Sequence, residues 1–208
     1  MAGYVLYGYP QSGSAAVELA LVEAAIPFEM QDLDPEAGDL ESADFLAINP
    51  RGQVPALRHP DGSVITEVPA ILLHLADAHP ECGLAPPPGG SARAQHDRWL
   101  SFVHANCYEA VLRYFYTERY TTDPSIVEPV REAALAYIIR HFNLLAEAIE
   151  TGPFLFGETP MAVDFLIWAI TTWLVEEDIT AYDVRITHLA EALAARPNLA
   201  TAVARNTA

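Results

Sequence analysis

The fold is decided by the stretch Asn49-Pro50-Arg51-Gly52-Gln53-Val54-Pro55-Ala56-Leu57, which is followed closely by Thr66-Glu67. A Val-Pro pair at the entry to a strand removes one backbone donor and can hold a cis peptide bond. The N–H and C=O of Val54 then point outward, free to pair with a peptide-like ligand as a short additional strand. Glu67 adds a carboxylate for an ammonium group. An ordinary hairpin turning at Asp61-Gly62 is the alternative, but a hairpin leaves Pro55 unexplained.

Patterns on either side of this stretch predict an alternating order of strands and helices. Residues 4–7 read as a strand, the turn Gln11-Ser12-Gly13-Ser14 leads into a helix over about 15–25, and residues 27–33 read as a second strand. A strand, a crossover helix and a strand imply a parallel pair. A weakly helical acidic stretch, the hairpin and one more helix follow. This βαβαββα order is the thioredoxin-like layout, here without a Cys-x-x-Cys redox pair.

A segment rich in proline and glycine divides the chain. Residues 81–90 include the run Pro86-Pro87-Pro88-Gly89-Gly90, and such runs mark linkers. We therefore predict an α/β, thioredoxin-like domain over residues 1–80 and an all-helical bundle over residues 91–208. Helical patterns in the second domain fall near residues 91–120, 124–150, 160–176, 186–195 and 197–205.

Composition restricts the class of partner. The 208 residues carry a formal charge of −17, and the only basic side chains besides histidine are 11 arginines. Such a surface repels nucleic acid and anionic membranes, so neither is an expected partner.

The longest apolar run, residues 165–175, is too short to span a bilayer. The two cysteines, Cys82 and Cys107, indicate no disulfide framework and fit a reducing compartment, expected to be the cytoplasm. The seven histidines are scattered without metal-ligand spacing, so no metal is expected.

The segment 49–55, together with Asp61-Gly62, Thr66-Glu67 and Ala70-Ile71, resembles the glutathione-binding region of the cytosolic glutathione S-transferases. The bacterial beta branch and the zeta-like branch are the most similar. The resemblance extends over nearly the whole chain, through its length, its two-part layout and a late segment ending at Asp164. It implies glutathione as co-substrate, a small hydrophobic electrophile as second substrate, conjugation of the two, and a homodimer.

The transferase reaction needs glutathione as a thiolate, which directs attention to hydroxyl groups. A free thiol has a pKa of about 8.5, and lowering that pKa by two units requires roughly 2.7 kcal/mol. One hydrogen bond to the charged sulfur supplies about 1.5–3 kcal/mol, and a helix N-terminus about 0.3–1 kcal/mol. The first strand-to-helix turn offers Ser12, Ser14 and Tyr9, in that order of preference. The alternative is that Ser12 and Ser14 only cap the helix.

The resemblance also assigns the residues that would hold the tripeptide. Val54, beside Pro55, would pair with the glutathione backbone, and Glu67 would hold the γ-glutamyl ammonium. Val68 stands where the family often has a Ser or Gly that also contacts the γ-glutamyl carboxylate. With valine at this position, only the backbone N–H can make that contact. The supporting residues are Gln53, near the glycine end, and Arg51, near the ligand carboxylates. The alternative for Arg51 is an exposed arginine in a turn.

The second-substrate pocket is predicted from the first long helix of the helical domain, through Tyr108, Leu112 and Phe115. Aligned with the beta branch, Tyr108 stands where that branch has an active-site histidine, and Gly13 stands where it has its cysteine. A stripe of aromatic residues at helical spacing is otherwise typical of a core. His104, one turn before Tyr108, is expected to be structural.

Farther along the chain, the pair Thr159-Pro160 predicts the start of a buried helix. Asp164, which follows in that helix, is interpreted as a buried folding element rather than a catalytic group.

Two other functions stay open at this point. The first is a glutathione-dependent peroxidase, disulfide reductase or isomerase on the same site, because one scaffold supports all of these reactions. The second is a binding or regulatory protein that has kept the fold and lost catalysis. Val68, the acidic surface and Gln11, which replaces the first serine of the zeta-like pattern, favour the second.

Overall fold

The computed structural model describes residues 3–176 and 179–207. A mixed sheet of four strands forms the first part of the chain, in the order β2-β1-β3-β4. Strands β1 and β2 are parallel, whereas β1 pairs antiparallel with β3, and β3 pairs antiparallel with β4. The strands are β1 Tyr4–Gly8, β2 Phe28–Asp32, β3 Ala56–Arg58 and β4 Val64–Thr66.

Three helices cover the two faces of this sheet, because alternate side chains of each strand point to opposite faces. Leu6 and Leu57 pack toward α1 and α3, while Tyr7 and Ala56 belong to a smaller cluster around Phe45 of α2. The crossover through α1 makes β1 and β2 parallel, as the sequence predicts. The helices are α1 Ser14–Glu23, α2 Ala43–Ile48 and α3 Val68–Ala78.

The rest of the described chain is helical. The predicted continuous helix over residues 91–120 is wrong in detail: α4 is followed by a π-helical turn, Val103–Tyr108, and then by a short α5. A π-helical turn is wider than an α-helical one, and such turns frequently occur at functional sites. The helices are α4 Ser91–Phe102, α5 Glu109–Phe115, α6 Val127–Glu147, α7 Ala162–Glu176, α8 Val184–Ala194 and α9 Ala200–Asn206.

Helix α7 runs through the centre of the helical part, and Asp164 in its first turn is fully buried. The Asp164 carboxylate accepts hydrogen bonds from the N–H groups of Leu155, at 2.9 Å, and Met161, at 2.7 Å. Burial raises the pKa of Asp164 to about 7, although both N–H donors act in the opposite direction. The helix begins at Ala162, so the predicted start at Thr159-Pro160 is wrong; the side chain of Asp164 satisfies the backbone at this end instead.

Polar contacts join the two parts of the chain. The guanidinium of Arg93 on α4 donates to Asp77 of α3 at 2.7 Å and to Asp97 at 2.8 Å, while α1 and α3 pack on α7. The predicted fold class, a thioredoxin-like βαβαββα domain followed by a helical bundle, is confirmed. The exact linker, residues 81–90, stays a prediction. Within residues 3–176 and 179–207, no helix combines the length and apolar character needed to cross a membrane.

Candidate functional site

A cavity of about 730 Å³ lies between the sheet domain and the helical domain, where the π-helical turn, α5 and α7 line it. Its size suits a small molecule. Its walls come from the β1–α1 turn, the loop before β3, the start of α3 and the π-helical turn. All the predicted site residues except Ser14 line this cavity, namely Tyr9, Ser12, Arg51, Gln53, Val54, Pro55, Glu67, Val68, Tyr108, Leu112 and Phe115.

The segment of residues 9–14, called the hydroxyl turn below, leads from β1 into α1. Ser12 is 5% exposed and Ser14 is fully buried. The Ser12 hydroxyl lies 2.7 Å from the carbonyl oxygen of Tyr9 and 2.7 Å from the Ser14 hydroxyl, and the Ser14 hydroxyl also reaches the Tyr9 carbonyl, at 3.1 Å. Each hydroxyl has one hydrogen to donate. Ser12 can therefore turn its hydrogen toward a ligand while Ser14 satisfies the Tyr9 carbonyl.

The capping alternative for the two serines is only partly matched by the structure. The residue at the cap position of α1 is Gly13, which has no side chain to bond. The Ser12 hydroxyl accepts the N–H of Ser14 at 3.2 Å. Such a local bond leaves the Ser12 hydrogen for another acceptor, so stabilising the turn and binding an anion are compatible roles.

The Tyr108 hydroxyl lies directly over Gly13. A Cβ atom built on Gly13 would be 2.7 Å from the Tyr108 oxygen. The Tyr108 ring is held edge-to-face on Trp173, with ring centroids 5.3 Å apart, and is stacked on His104 at 5.4 Å. The glycine that the resemblance aligns with the cysteine of the beta branch is thus covered by a phenol.

The ionisation of the groups around the cavity favours neutral hydrogen-bond donors. Burial, and then the neighbouring Tyr9, raises the pKa of Tyr108, and burial also raises the pKa of Tyr9. Burial lowers the pKa of His104, against the opposing effect of Glu67. Both phenols therefore stay protonated at neutral pH and can donate to an anion. Neither can serve as a base there.

The loop before β3 presents an unpaired stretch of backbone to the cavity. The Val54–Pro55 peptide bond is cis. Among the described residues, neither the N–H nor the C=O of Val54 has a hydrogen-bond partner. The loop is shaped by Asn49, which is buried and donates to the Gln53 carbonyl at 2.6 Å while accepting the N–H of Arg51 at 3.2 Å.

Glu67 lies at the junction of β4 and α3, in a left-handed backbone conformation with φ of 69°. Its carboxylate accepts a hydrogen bond from Arg51 at 2.5 Å, and both side chains are about half exposed. An exposed ion pair of this kind adds little to stability, so a ligand can compete for both groups. Val68 begins α3, and its N–H has no acceptor within the helix because it lies in the first turn.

Several lining residues escape prediction from the sequence. The sequence assigns no role to Asn49, although it begins the segment before β3, and it predicts that His104 is structural. Tyr116, Arg119 and Trp173 also line the cavity. Trp173 lies within the buried apolar helix, where no sequence signal separates a lining residue from a core residue. The Arg119 guanidinium stacks on Tyr116 at 4.0 Å, a contact that their spacing in the chain permits but does not specify.

The two cysteines lie outside the lining of the cavity. Cys107 is buried, and burial raises the pKa of its thiol to about 12. The Cys82 thiol donates to the carbonyl of Ala24 at 3.3 Å. Within the described part of the chain, no group of three or more His, Cys, Asp or Glu side chains is arranged to hold a metal ion.

Fold and cavity together define a protein in which a thioredoxin-like domain presents an unpaired stretch of backbone to a cavity that a helical domain closes. Profiles of the glutathione S-transferase N-terminal and C-terminal domains match residues 14–78 and 128–205. The chain is 30% identical over 203 residues to the uncharacterized GST-like protein YncG of Escherichia coli, an alignment that covers 97% of each chain. The chain belongs to the glutathione S-transferase family.

Solved structures agree with this assignment. The chain superimposes on a glutathione transferase homologue from Sulfitobacter with bound glutathione, at a TM-score of 0.87 and 26% identity, over 100% of both chains. It also superimposes on a sphingomonad glutathione S-transferase complexed with glutathione, at a TM-score of 0.80 and 27% identity, over 96% of this chain and 97% of that one.

Proposed function

We propose that this protein conjugates the thiolate of glutathione to small hydrophobic electrophiles. One observation carries the proposal: a single cavity brings together the hydroxyl turn, the unpaired backbone of Val54 and the carboxylate of Glu67. These three features match the thiol, the peptide backbone and the ammonium group of glutathione. Relatives of the same fold whose structures contain glutathione support it.

Each part of the tripeptide has a complementary group in the proposed complex. The cysteinyl backbone pairs with Val54 beside Pro55, as an added strand would. The γ-glutamyl end is a zwitterion, and the Arg51–Glu67 pair offers it both signs of charge. Its carboxylate also faces the N–H of Val68 at the start of α3, where the helix dipole favours an anion. Gln53 then lies toward the glycine end.

The thiolate in this proposal is stabilised by Ser12. Its hydroxyl turns to the sulfur while Ser14 takes over the Tyr9 carbonyl, so this carbonyl keeps a donor. A hydrogen bond to a charged group contributes about 1.5–3 kcal/mol, close to the roughly 2.7 kcal/mol needed for a shift of two pKa units. Tyr9 is the third candidate donor. The second substrate is placed against Tyr108, Leu112 and Phe115.

Initial rates with glutathione and chlorodinitrobenzene test this role. Ser12→Ala should reduce turnover by about 10²-fold, as the loss of one donor to a developing oxyanion does. Ser14→Ala is the comparison, because it removes the same atom from a residue that does not line the cavity. It should lose less than Ser12→Ala, since it removes only the second donor to the Tyr9 carbonyl. The reverse order would assign the sulfur to Ser14, and two unchanged rates would assign it to Tyr9.

A glutathione-dependent peroxidase, reductase or isomerase is tested by the same assay with other substrates. Cumene hydroperoxide and hydroxyethyl disulfide serve as the competing substrates. A mechanism through a mixed disulfide with the protein needs an accessible thiol. Gly13 provides none, and neither Cys82 nor Cys107 lines the cavity. We therefore expect conjugation to exceed disulfide reduction.

A binding protein without catalysis is the second candidate. The short bond from Ser12 to the Tyr9 carbonyl favours it, because the hydroxyl is already engaged. Calorimetry with glutathione, combined with the conjugation assay, separates the two functions. Heat without turnover supports binding alone, and the absence of both heat and turnover rejects both functions.

A homodimer in the cytoplasm is the proposed form of the protein. Analytical ultracentrifugation, which measures the mass of the particle in solution, tests the dimer.

A further inference from the structure

The C-terminal helix α9 makes a hydrogen bond to the hydroxyl turn from the far end of the chain. The side-chain oxygen of Asn206 accepts the backbone N–H of Gln11 at 3.2 Å. Gln11 immediately precedes Ser12, and its φ of 58° places it in the left-handed region. A residue other than glycine in this region costs conformational energy, and such strain persists only where the surroundings enforce it.

Asn206 is itself held firmly. It is 1% exposed, and its amide nitrogen donates to the Glu18 carboxylate and to the Ala202 carbonyl, both at 2.9 Å. Glu18 is also nearly buried, and it receives a further hydrogen bond from Arg205 at 2.7 Å. Because Glu18 belongs to α1, Asn206 bridges the backbone that enters this helix and a side chain one turn inside it.

We propose that Asn206 is a positioning residue for the thiol site, an inference that rests on the proposed function. Its acceptor holds Gln11 in the strained conformation and so sets the direction of the Ser12 hydroxyl. Loss of that acceptor removes one of the contacts that hold Gln11 at positive φ, so the backbone of Gln11 shifts and Ser12 shifts with it. Asn206 does not line the cavity, so it acts only through the turn.

The first test compares two asparagines of the same C-terminal region. Asn206→Ala should lower kcat/KM for conjugation about tenfold and raise the pKa of the bound thiol by about one unit, since a tenfold change corresponds to one pKa unit. The thiol pKa is read from the ultraviolet absorbance of the bound thiolate. Asn198→Ala is the control, because Asn198 donates to Glu23 of α1 at 2.8 Å but is exposed and outside the cavity. A thiol pKa equal in both variants overturns the proposal, whatever happens to their melting temperatures.

The second test is a rescue by glycine at position 11. Glycine adopts positive φ without a steric penalty, so a turn with glycine depends less on Asn206. In the Gln11→Gly background, Asn206→Ala should cost less than about threefold, well below its effect of about tenfold beside Gln11. Comparing the effect within each background removes any contribution of the Gln11 side chain. Equal losses in both backgrounds contradict the proposed role.

Amide hydrogen exchange on the free protein separates failure of this inference from failure of the proposed function. Asn206→Ala should accelerate exchange at the Gln11 amide, while Asn198→Ala should leave it unchanged. Unaltered protection in Asn206→Ala overturns the inference even if the wild type is an active transferase. A wild type that neither binds nor conjugates glutathione refutes the proposed function, and the exchange rates still decide whether Asn206 holds the turn.

Discussion

Adding a single methyl group at Gly13 should disturb the site through Tyr108. The backbone itself accepts alanine, because Gly13 has a φ of −59°. The new Cβ would lie 2.7 Å from the Tyr108 oxygen, and ordinary contact begins at 3.4 Å, so this oxygen must retreat by about 0.7 Å. Trp173 and His104 hold the ring on two sides. Overpacking of this kind costs about 1–3 kcal/mol.

Removing the hydroxyl should remove that cost. In Tyr108→Phe the atoms nearest to the new Cβ are the Pro55 Cδ at 3.5 Å and the ring carbon at 3.6 Å, both ordinary contacts. Gly13→Ala should therefore destabilise the wild type by about 1–3 kcal/mol more than it destabilises Tyr108→Phe. Any change in helix-capping preference at position 13 is common to both backgrounds and cancels.

Urea denaturation of the wild type, the two single variants and the double variant measures this coupling energy. Conjugation rates on the same four proteins show whether displacing the phenol also disturbs the second-substrate pocket. Additivity of the two substitutions to within about 0.5 kcal/mol would refute the argument. The same contact implies that Gly13→Cys alone cannot restore the arrangement of the beta branch, since its Cβ would meet the same oxygen.

Two further predictions concern buried ionisable groups. Asp164→Ala leaves the N–H groups of Leu155 and Met161 without their acceptor, and at about 1–3 kcal/mol for each group the free energy of unfolding should fall by about 2–6 kcal/mol. A loss below about 1 kcal/mol in urea denaturation would contradict this role. Burial lowers the pKa of His96 below its ordinary 6.5, and its Nε2 has no partner among the described residues. The unfolded chain therefore takes up the proton first as the pH falls, and His96 costs stability below about pH 6.5, by at most about 1.4 kcal/mol at pH 5.5. The stability advantage of the wild type over His96→Gln should shrink between about pH 7.5 and pH 5.5, while the opposite contribution of Asp164 cancels because both proteins contain it. An advantage independent of pH would contradict the assigned cause.

The local patterns of the sequence predict most of the fold because each pattern depends on near neighbours. The crossover between the first two strands follows from a strand, a helix and a strand in succession. The Val54-Pro55 pair predicts a break in backbone pairing because proline has no N–H. The pair Thr159-Pro160 predicts the start of α7 wrongly, because a local capping pattern does not reveal that the Asp164 side chain inside the helix accepts the Met161 N–H.

The site is less predictable because distant residues build it. Tyr108 lies 95 positions after Gly13 in the chain. Nothing in the sequence around either residue indicates that the phenol covers the glycine. The π-helical turn at Val103–Tyr108 changes which side chains after it face the core. The apolar pattern of the sequence continues through this turn and does not indicate it. The role of Asn206 follows only from the packing of α9 on α1.

The hydrogen bond between Asn206 and Gln11 determines when, during synthesis of the chain, the hydroxyl turn can take its final geometry. Residues 9–14 leave the ribosome long before residue 206, so during synthesis the Gln11 N–H lacks the Asn206 acceptor that it has in the complete fold. The hydroxyl turn reaches its final geometry only when α9 docks, after α4 to α8 have been synthesised. If Asn206 has the proposed role, a chain that stops before α9 should lack the final geometry of the hydroxyl turn.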